Sequence, residues 1–549
     1  MVALAYWVVL DRGLWFYGDE WDFILRRGFH HPALSIWVAH NEHWSTLPIL
    51  LWRGLYSAVH LRSYWPYLLP LLAAHLVVVH LIWRRCLRAG ADPWLATAVA
   101  AMLGLYGPGW EDLAWAFQIG FVGALMFGLL ALDAVDGGAP TWRRDATASL
   151  LAVAALMCSA VGDAMLVALA ASLVRRRRWE RAVAVLVPPV AAELWWWLAV
   201  GHRSLQTMHD SFGVNVLAGL PAYAGKQVLN MFGSGFLIVG IAVTVSVGAW
   251  AVAHLKRLIV EHPEVVGLAG AALAFYLLAG VGRDRLGVAT PSRYTYVGAV
   301  CMAPLVALAL SGMSATARRY WPRRRFPARA ALGLVAAFTA ADVVIGAVFV
   351  AQHTRFVLRE KRQIVTSAAL VAAGQPWLNR YPFPSSGAYA GYLTPPDLVR
   401  LLRRGRLPAV APPTGAQLLY DVSWLDVGGV ASASGAARFA LTGASPGALR
   451  AGPGCAAVAG RPGRYGVMRL TPRANGPAAF VLRGRPGSEI VLSLAPGGAP
   501  VPPKLAASDG QFFKMNAAGR VAIRDIYPGA DLLVSLPAGA PSRVCGLAG

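Results

Sequence analysis

The sequence is poor in charge and in cysteine, and both shortages exclude whole classes of protein. Charged residues make up 14% of the 549 residues, against about 25% in soluble globular proteins, which excludes an ordinary soluble enzyme. The five cysteines are too few for a disulfide-rich scaffold, and none of their spacings resembles a CxxC metal or redox pair. The sequence has neither a G-x-G-x-x-G turn nor a P-loop, so no motif for a cytosolic nucleotide is found.

Apolar residues dominate the rest of the composition. They form 57% of the chain and the mean hydropathy is +0.51, which indicates a membrane protein. The formal net charge of +23 is compatible with nucleic-acid binding, but basic clusters such as Arg175–Arg178 and Arg323–Arg325 directly follow apolar runs and lack interleaved aromatic residues. We therefore interpret the positive residues as topology signals under the positive-inside rule. The expected partner is the lipid bilayer, not nucleic acid.

Apolar runs with the length of membrane helices recur over residues 1–352, which we interpret as one multi-span domain of about eleven helices. The predicted spans lie near Val2–Tyr17, Tyr64–Trp83, Pro93–Tyr106, Ala116–Asp133, Thr147–Val161, Ala164–Val174, Val183–Val200, Gly235–His254, Val265–Val281, Val297–Gly312 and Ala330–Ala351. An alternating path through these spans places every basic loop on the cytoplasmic face. Thr46–Leu61 is expected to be interfacial or re-entrant. Because the first run is short and includes Asp11 and Arg12, the natural start is expected upstream.

The composition changes after residue 352. Residues 353–407 are predicted to form an amphipathic helix, Thr354–Ala373, and a linker rich in proline and aromatic residues. Residues 408–549 are rich in glycine, proline, alanine and serine, and their short apolar runs between turn residues predict a small β-sandwich. The alternating path places this domain outside the cytoplasm. An oxidising compartment there would permit Cys455 and Cys545 to pair, and the sequence leaves open whether they do.

Three carboxylates lie within four residues directly after the first predicted helix: Asp19, Glu20 and Asp22. Ionisable groups at a lipid boundary are costly unless a partner or a function requires them. Asp19 or Glu20 could act as the general base that removes a proton from an acceptor hydroxyl, with Asp22 as a substrate-binding residue. The alternative is a solvated loop that carries acidic residues at a helix end.

Two further loops predicted on the same face carry polar residues beside tryptophan. In His40–Pro48, His43 and Trp44 could bind a divalent cation or a sugar, the alternative being an interfacial loop anchored by Trp44. Tryptophan at a membrane interface is usually only an anchor, but neighbouring carboxylates could supply a second acid or a ligand. The candidate substrate-binding residues of the next such loop are Trp110, Glu111, Asp112 and Gln118.

Positively charged candidates flank a later loop of the same face. Arg283 begins this loop, and Arg293 with Tyr294 ends it. Guanidinium groups bind phosphate in a fixed fork geometry, so Arg283 and Arg293 are predicted to bind the phosphate of a lipid-linked donor, with Tyr294 beside them. The alternative is that arginines at the ends of spans extend toward lipid headgroups.

Together, the motifs Gly18–Asp22, His40–Pro48, Trp110–Gln118 and Arg293–Tyr296 resemble those of the GT-C class of membrane glycosyltransferases, in a high-GC actinobacterial branch. The resemblance covers roughly residues 1 to 355. It implies a GT-C-like helical bundle, a polyprenyl-phosphate sugar donor and a catalytic base at Asp19 or Glu20. Some members of the class use a divalent metal, so one of these acids could instead bind Mg, Mn or Ca.

The expected fold class is therefore mainly α, a polytopic transmembrane bundle with a C-terminal extracytoplasmic β-sandwich. The expected protein is an inverting glycosyltransferase of the cell membrane, active on the extracytoplasmic face. It would move a sugar from a polyprenyl-phosphate donor to a glycan, lipid or protein acceptor of the cell wall or envelope. Two alternatives are a transporter or flippase for a lipid-linked sugar, and a non-catalytic envelope protein that binds glycan through its β domain.

Overall fold

The computed structural model comprises two compact units, Met1–Leu358 and Arg359–Gly549. The residues that it describes are 2–28, 35–41, 43–136, 139–175, 179–202, 214–233, 237–283, 291–320, 326–372, 393, 395–407, 426–428, 439–445, 449–452, 455–458, 465–472, 480–483, 489–496, 501, 511–514, 520–524, 530–538 and 543–545.

Helices dominate the first unit. They are α1 (Val2–Leu10), α2 (Thr46–Val59), α3 (Trp65–Arg88), α4 (Pro93–Gly104), α5 (Trp110–Ala114), α6 (Ile119–Asp136), α7 (Trp142–Leu156), α8 (Val161–Arg175), α9 (Trp179–Trp196), α10 (Val214–Gly233), α11 (Leu237–Ala253), α12 (Leu255–Glu261), α13 (Pro263–Arg283), α14 (Ser292–Tyr320) and α15 (Phe326–Ala372). Local sequence explains several boundaries. Asp92 caps α4 by accepting hydrogen bonds from the backbone N–H groups of Trp94 and Leu95, and Pro93 occupies the first helical position.

The chain is a multi-pass membrane protein, as its composition predicts. Among the residues that the structure describes, six helices are long and apolar enough to cross a bilayer, or seven if the bent pair Gly219–Phe232 and Leu237–Ala253 is one span. The count of about eleven spans in residues 1–352 stays a prediction. Although each predicted span contains a helix, α1, α4, α7 and α8 have only 9, 12, 15 and 15 residues, below the roughly 20 that a span requires.

The boundary expected after residue 352 is not a break in the helix. Helix α15 runs without interruption over 47 residues, from Phe326 to Ala372, so the last predicted span and the predicted amphipathic helix form one element. The reason is local, because residues 352–360 contain neither proline nor glycine and nothing there interrupts the backbone hydrogen bonds. Most of the predicted linker lies outside the described residues.

The second unit contains a short helix, α16 (Pro395–Arg403), and two antiparallel sheets. The strands are β1 (Asp426–Gly428), β2 (Phe439–Ala444), β3 (Leu449–Gly452), β4 (Cys455–Val458), β5 (Tyr465–Pro472), β6 (Phe480–Arg483), β7 (Glu489–Pro496), β8 (Gln511–Lys514), β9 (Arg520–Arg524), β10 (Ala530–Pro537) and β11 (Arg543–Cys545). Their orders are β1-β9-β6-β11-β4-β3 and β2-β5-β10-β7-β8. In β10, Leu532, Val534 and Leu536 are fully buried. The mainly helical fold class with a β-rich C-terminal region is confirmed.

A disulfide bond joins Cys455 on β4 to Cys545 on β11 and answers the question that the sequence left open. The bond lies between paired strands and closes a loop with a sequence separation of 90 residues. Replacing both cysteines by serine is expected to destabilise the second unit by about 4 kcal/mol, because the unfolded chain regains loop entropy. Limited proteolysis of the full-length protein in increasing urea measures this loss.

Dithiothreitol provides the matched control for this prediction. It should lower the urea midpoint of the wild-type protein to that of the double-serine variant and leave the variant unchanged. An unchanged wild-type midpoint after verified reduction of the bond would contradict the prediction.

Candidate active site

The loop after α1 places the three acidic residues in different environments, although they are adjacent in sequence. A 3-10 turn over Asp11–Gly13 ends α1, and Gly18 adopts a φ of 63°, which lets the chain turn tightly before Asp19. The chain then forms a π-helical turn over Asp22–Arg26. These turns aim the three carboxylates in different directions.

Asp22 is the anchor of the loop. Its Oδ2 accepts hydrogen bonds from Nε of Arg27 and from Nδ1 of His40, each at 2.7 Å, and Arg27 also donates to the carbonyl oxygen of Val38 at 2.7 Å. Burial would raise the pKa of Asp22, but the hydrogen bond from His40 and the positive charge of Arg27 lower it below its ordinary value. Asp22 is therefore an ionised structural residue that fixes the positions of Arg27 and His40.

His40 links Asp22 to Asp19. Burial would lower its pKa, but hydrogen bonds with Asp19 and Asp22 raise it above the ordinary value. Its Nε2 is 3.6 Å from Oδ2 of Asp19. The rings of Phe23 and Phe117 contact His40 at centroid distances of 5.1 and 5.3 Å and restrict its orientation.

Asp19 receives a second hydrogen bond from a tight turn. Nδ2 of Asn41 donates to Oδ2 of Asp19 at 3.1 Å. The turn is closed by two backbone hydrogen bonds between His40 and His43, of 3.0 and 2.9 Å, and Asn41 adopts a φ of 45° to make it. Asp19 is thus held beside His40 and Asn41. It remains 5% exposed, against 0% for Glu20 and 1% for Asp22.

Glu20 connects three separate segments of the chain. Its two carboxyl oxygens accept hydrogen bonds from the backbone N–H of Tyr17 at 2.9 Å and from the hydroxyl of Tyr64 at 2.6 Å. The Tyr64 hydroxyl in turn accepts a hydrogen bond from the backbone N–H of Ala116 at 2.9 Å. Burial raises the pKa of Glu20 to about 8, which outweighs the lowering effect of these donors. Glu20 is therefore largely protonated near neutral pH. Its hydrogen bonds link the segments that contain Tyr17, Tyr64 and Ala116.

The raised pKa of Glu20 predicts a pH-dependent stability. Because the folded protein retains a proton that the unfolded chain releases above about 4.5, stability should fall as the pH rises from about 4.5 to about 8. Glu20→Gln removes this titration, so its free energy of unfolding should vary less over this window, by on the order of 2–4 kcal/mol. Thermal unfolding of the purified protein between pH 5 and 9 measures the difference. The exposed Glu180→Gln variant should keep the wild-type profile, and identical profiles for both variants would contradict the prediction.

A second charged pair lies at the start of α14. Arg293 NH1 is 3.4 Å from Oε1 of Glu111, and the backbone N–H of Arg293 donates to Oε2 of Glu111 at 3.1 Å. The backbone N–H of Glu111 donates to Oγ of Ser292 at 3.1 Å. Glu111 thus caps the first turn of α14 and directs the guanidinium, whose side chain remains 26% exposed.

Tyr17 brings the acidic loop and the Glu111–Arg293 pair together. After burial, the negative charges of Glu20, Glu111 and Asp19 raise the pKa of Tyr17, whereas the positive charge of Arg293 lowers it. All four groups therefore lie close enough to act on one hydroxyl. The loop after α1, the α5 turn and the start of α14 form one candidate site, which we call the Tyr17 site.

Aromatic rings surround the Tyr17 site. Tyr17 contacts Trp115 and His353 at centroid distances of 4.9 and 4.7 Å, and His353 contacts Trp110 at 4.9 Å. Trp110 also stacks on Phe349 of α15. The ring nitrogens Trp115 Nε1 and His353 Nε2 are buried without a hydrogen-bond partner among the described residues. Such groups are available to a bound polar molecule.

Three other predicted site residues are buried. Asp112 is 0% exposed beside Glu111, and burial raises its pKa well above the ordinary value. Trp44 is buried and stacks on Trp196 at 5.4 Å, which engages the face that was expected to bind a sugar. Tyr294 is also buried and stacks on Phe121.

The remaining predicted residues have separate environments. Gln118 is buried in a 3-10 turn before α6. His43 pairs through its backbone with His40, and its ring contacts Phe121 at 5.7 Å. Arg283 is the last residue of α13, and its side chain lies outside the described residues.

The donor set fits a divalent cation poorly. Among the described residues, no three His, Cys, Asp or Glu side chains gather in an arrangement that could hold a metal ion. Asp22 and His40 bind each other, and Arg27 binds the same carboxylate. We therefore assign no step to a metal.

Several side chains of the site have no signal in the local sequence. Arg27 follows Asp22 by five residues, and the π-helical turn over Asp22–Arg26 brings the two side chains together. His40 was considered as a metal ligand or sugar contact, and instead joins two carboxylates. Tyr17, Tyr64 and His353 gave no local signal, because their contacts join segments that are distant in sequence.

These features define a multi-pass membrane protein whose clustered charges lie at one end of a helical bundle. Solved structures with a similar fold include ArnT from Cupriavidus metallidurans bound to undecaprenyl phosphate and ArnT from the same organism in the apo state. Each is 15% identical to this chain, with a TM-score of 0.44, and each match covers 73% of this chain and 83% of the other. No family pattern and no curated protein sequence matches the chain.

These likenesses concern the fold alone. The actinobacterial branch remains a prediction. At this identity and TM-score, the function of the chain must be inferred from the geometry of the Tyr17 site.

Proposed function

We propose that this protein is a glycosyltransferase that moves a sugar from a polyprenyl-phosphate donor to an acceptor of the cell envelope. The observation that carries the proposal is the junction at Tyr17, whose backbone N–H donates to Glu20 next to Asp19 and whose ring contacts Trp115 and His353, with the charge of Arg293 nearby. A carboxylate can remove the proton of the acceptor hydroxyl, and a guanidinium can stabilise the charge on the leaving phosphate.

Asp19 fits the role of general base better than its neighbours. Asp22 is a weak base because its pKa is lowered, and its oxygen already accepts two charged hydrogen bonds. Glu20 is buried and largely protonated near neutral pH. Asp19 is the most exposed of the three, and Nε2 of His40 lies 3.6 Å from its Oδ2.

Arg293 fits the role of donor-phosphate ligand. Its guanidinium is oriented by Glu111 yet remains partly exposed, and a bidentate fork can bind two phosphate oxygens. The apolar tail of a polyprenyl phosphate lies in the lipid. Its charged phosphate lies at the membrane boundary, where Arg293 is proposed to bind it.

The proposed reaction is a direct displacement with inversion. Asp19 removes the proton from the acceptor hydroxyl while the hydroxyl oxygen forms a bond to the anomeric carbon of the donor. The bond between this carbon and the phosphate oxygen breaks, and the polyprenyl phosphate leaves with the electron pair. Arg293 stabilises the negative charge that develops on the phosphate. The aromatic residues Trp110, Trp115 and His353 line the position that the sugar would occupy.

We place the Tyr17 site and the second unit on the extracytoplasmic side. The support is the excess of Lys and Arg in the loops that an alternating path assigns to the other side, together with the Cys455–Cys545 disulfide, which forms in oxidising compartments. The sugar, the acceptor and the use of the cell wall as substrate remain predictions.

The test is a transfer assay with the full-length protein in proteoliposomes and polyprenyl-phosphate sugars that carry a labelled sugar. The proposal requires two products in equal amounts, the glycosylated acceptor and free polyprenyl phosphate. Movement of intact donor between leaflets without release of polyprenyl phosphate would instead identify a flippase. Glycan binding by the second unit without either event would identify a non-catalytic protein.

A further inference from the structure

A second polar pocket lies far from the Tyr17 site. Its volume is about 420 Å³, within the roughly 300–1,000 Å³ typical of sites for small molecules. The residues that line it include the basic or potentially basic side chains Arg88, Arg257, His254 and His262, together with Trp250 and the acid Glu261. We call it the Arg88 pocket.

Helix geometry separates the two sites. Arg88 ends α3, a helix of 24 residues or about 36 Å, whose other end adjoins Tyr64 of the Tyr17 site. Ser311, also in the Arg88 pocket, is 18 residues along α14 from Arg293, or about 27 Å. Both distances approximate the roughly 30 Å of a hydrocarbon core. The Arg88 pocket therefore lies at the opposite membrane boundary.

The charged side chains that line the Arg88 pocket are two arginines and one glutamate, a balance that favours an anion. Arg88 pairs with Asp133 at 2.8 Å; Asp133 also pairs with Arg84 and Arg85, and Arg85 pairs in addition with Asp136 at 3.0 Å. Glu261 is 2.8 Å from Arg257 and 3.8 Å from His262.

The pocket also contains a polar donor without a partner. Trp250 Nε1 is buried and has no hydrogen-bond partner among the described residues. Its ring stacks on His254 at 4.6 Å, and Nδ1 of His254 donates to the carbonyl oxygen of Trp250 at 2.9 Å. This pair of contacts fixes both rings, so the indole N–H is a preformed donor for an acceptor oxygen.

The wall beside the pocket is apolar and faces outward. Helix α12 exposes Leu255, Ile259 and Val260 by 46%, 37% and 61%, and Val252 at the end of α11 is 74% exposed. Lys256 and Arg257 are exposed between these residues. Apolar side chains beside basic ones are typical of helices at the boundary between headgroups and acyl chains.

We propose that the Arg88 pocket binds the phosphate of an anionic phospholipid, with the acyl chains along the exposed side of α11 and α12. The basic side chains and the indole N–H supply the donors for phosphate oxygens, and the adjacent apolar surface selects a lipid over free phosphate. The site is separate from the Tyr17 site and does not depend on sugar transfer.

Native mass spectrometry of the full-length protein in detergent tests this proposal. The probes are dioleoyl phosphatidylglycerol, dioleoyl phosphatidylcholine with the same chains, and inorganic phosphate. The wild-type protein should retain phosphatidylglycerol preferentially. Arg88→Gln and Arg257→Gln should each lower this retention about fivefold, whereas Arg257→Lys should preserve most of it.

Arg84→Gln is the matched control, because Arg84 pairs with the same Asp133 at 3.6 Å but is not a lining residue of the pocket. Its retention of phosphatidylglycerol should equal that of the wild type. Equal losses in Arg84→Gln and Arg88→Gln, or equal retention of the two lipids by the wild type, would overturn the proposal. Displacement of phosphatidylglycerol by an equal concentration of inorganic phosphate would overturn the assignment to a lipid.

Discussion

Asp19→Asn should lower sugar transfer about 10³-fold while leaving the protein folded. The amide preserves the size of the side chain and can still accept a hydrogen bond from Asn41, but it cannot remove a proton from the acceptor. Positioned general bases contribute about 10²–10⁴ to the rate, which sets the expected loss. The measurement is the initial rate of transfer in proteoliposomes at saturating donor.

Glu20→Gln is the informative comparison for this prediction. Glu20 neighbours Asp19 and has the same chemistry, but it is buried and bound by Tyr17 and Tyr64, so its amide variant should keep transfer within about tenfold of the wild type. The reverse pattern, with Asp19→Asn active and Glu20→Gln inactive, would move the base to Glu20. Full activity in both variants would eliminate a base from this loop.

Arg293→Gln should lower kcat/KM for the donor about 100-fold. Hydrogen bonds to charged groups contribute about 1.5–3 kcal/mol, and the substitution removes the fork that is proposed to bind the phosphate. Arg293→Lys should recover part of this loss, because it restores the charge without the fork geometry. Initial rates over a range of donor concentrations separate the effects on KM and kcat.

Arg12→Gln controls for the loss of one positive charge near the first loop. Arg12 is exposed and its substitution should leave donor kinetics unchanged. The proposal also separates recognition of the phosphate from recognition of the tail. Arg293→Gln should therefore weaken inhibition by free polyprenyl phosphate and leave inhibition by the uncharged polyprenol unaltered. Equal weakening of both would contradict a role in phosphate binding.

The sequence predicted the class of fold because hydrophobic runs and turn-rich segments are local signals. Runs of the required length predicted the membrane helices α3, α6, α9, α13, α14 and α15, and short apolar runs between turns predicted the strands. The number of full spans stays a prediction, because apolar composition does not show whether a helix of 12–15 residues crosses the bilayer. Helix length depends on packing that composition does not record.

The candidate site was only partly predictable, for a related reason. Asp19, Asp22, Glu111 and Arg293 were recognised because charge is rare in this chain and therefore conspicuous. Their different roles depend on burial and on contacts between distant segments, neither of which spacing reveals. The position of Tyr17 between the acidic loop and Arg293 is such a contact, and it determines which candidates can act together.

The order of synthesis also matters for the hydrogen bonds of Glu20. Glu20 binds Tyr64, 44 positions later, Tyr64 binds the N–H of Ala116 after another 52, and Glu111 meets Arg293 only 182 positions beyond itself. A nascent chain leaving the ribosome therefore closes its first loop early. It lacks Arg293, the residue proposed to bind the donor phosphate, until α14 has been inserted. Partly translated copies that stall in the membrane would hold the base without the guanidinium and would be unable to consume the lipid carrier.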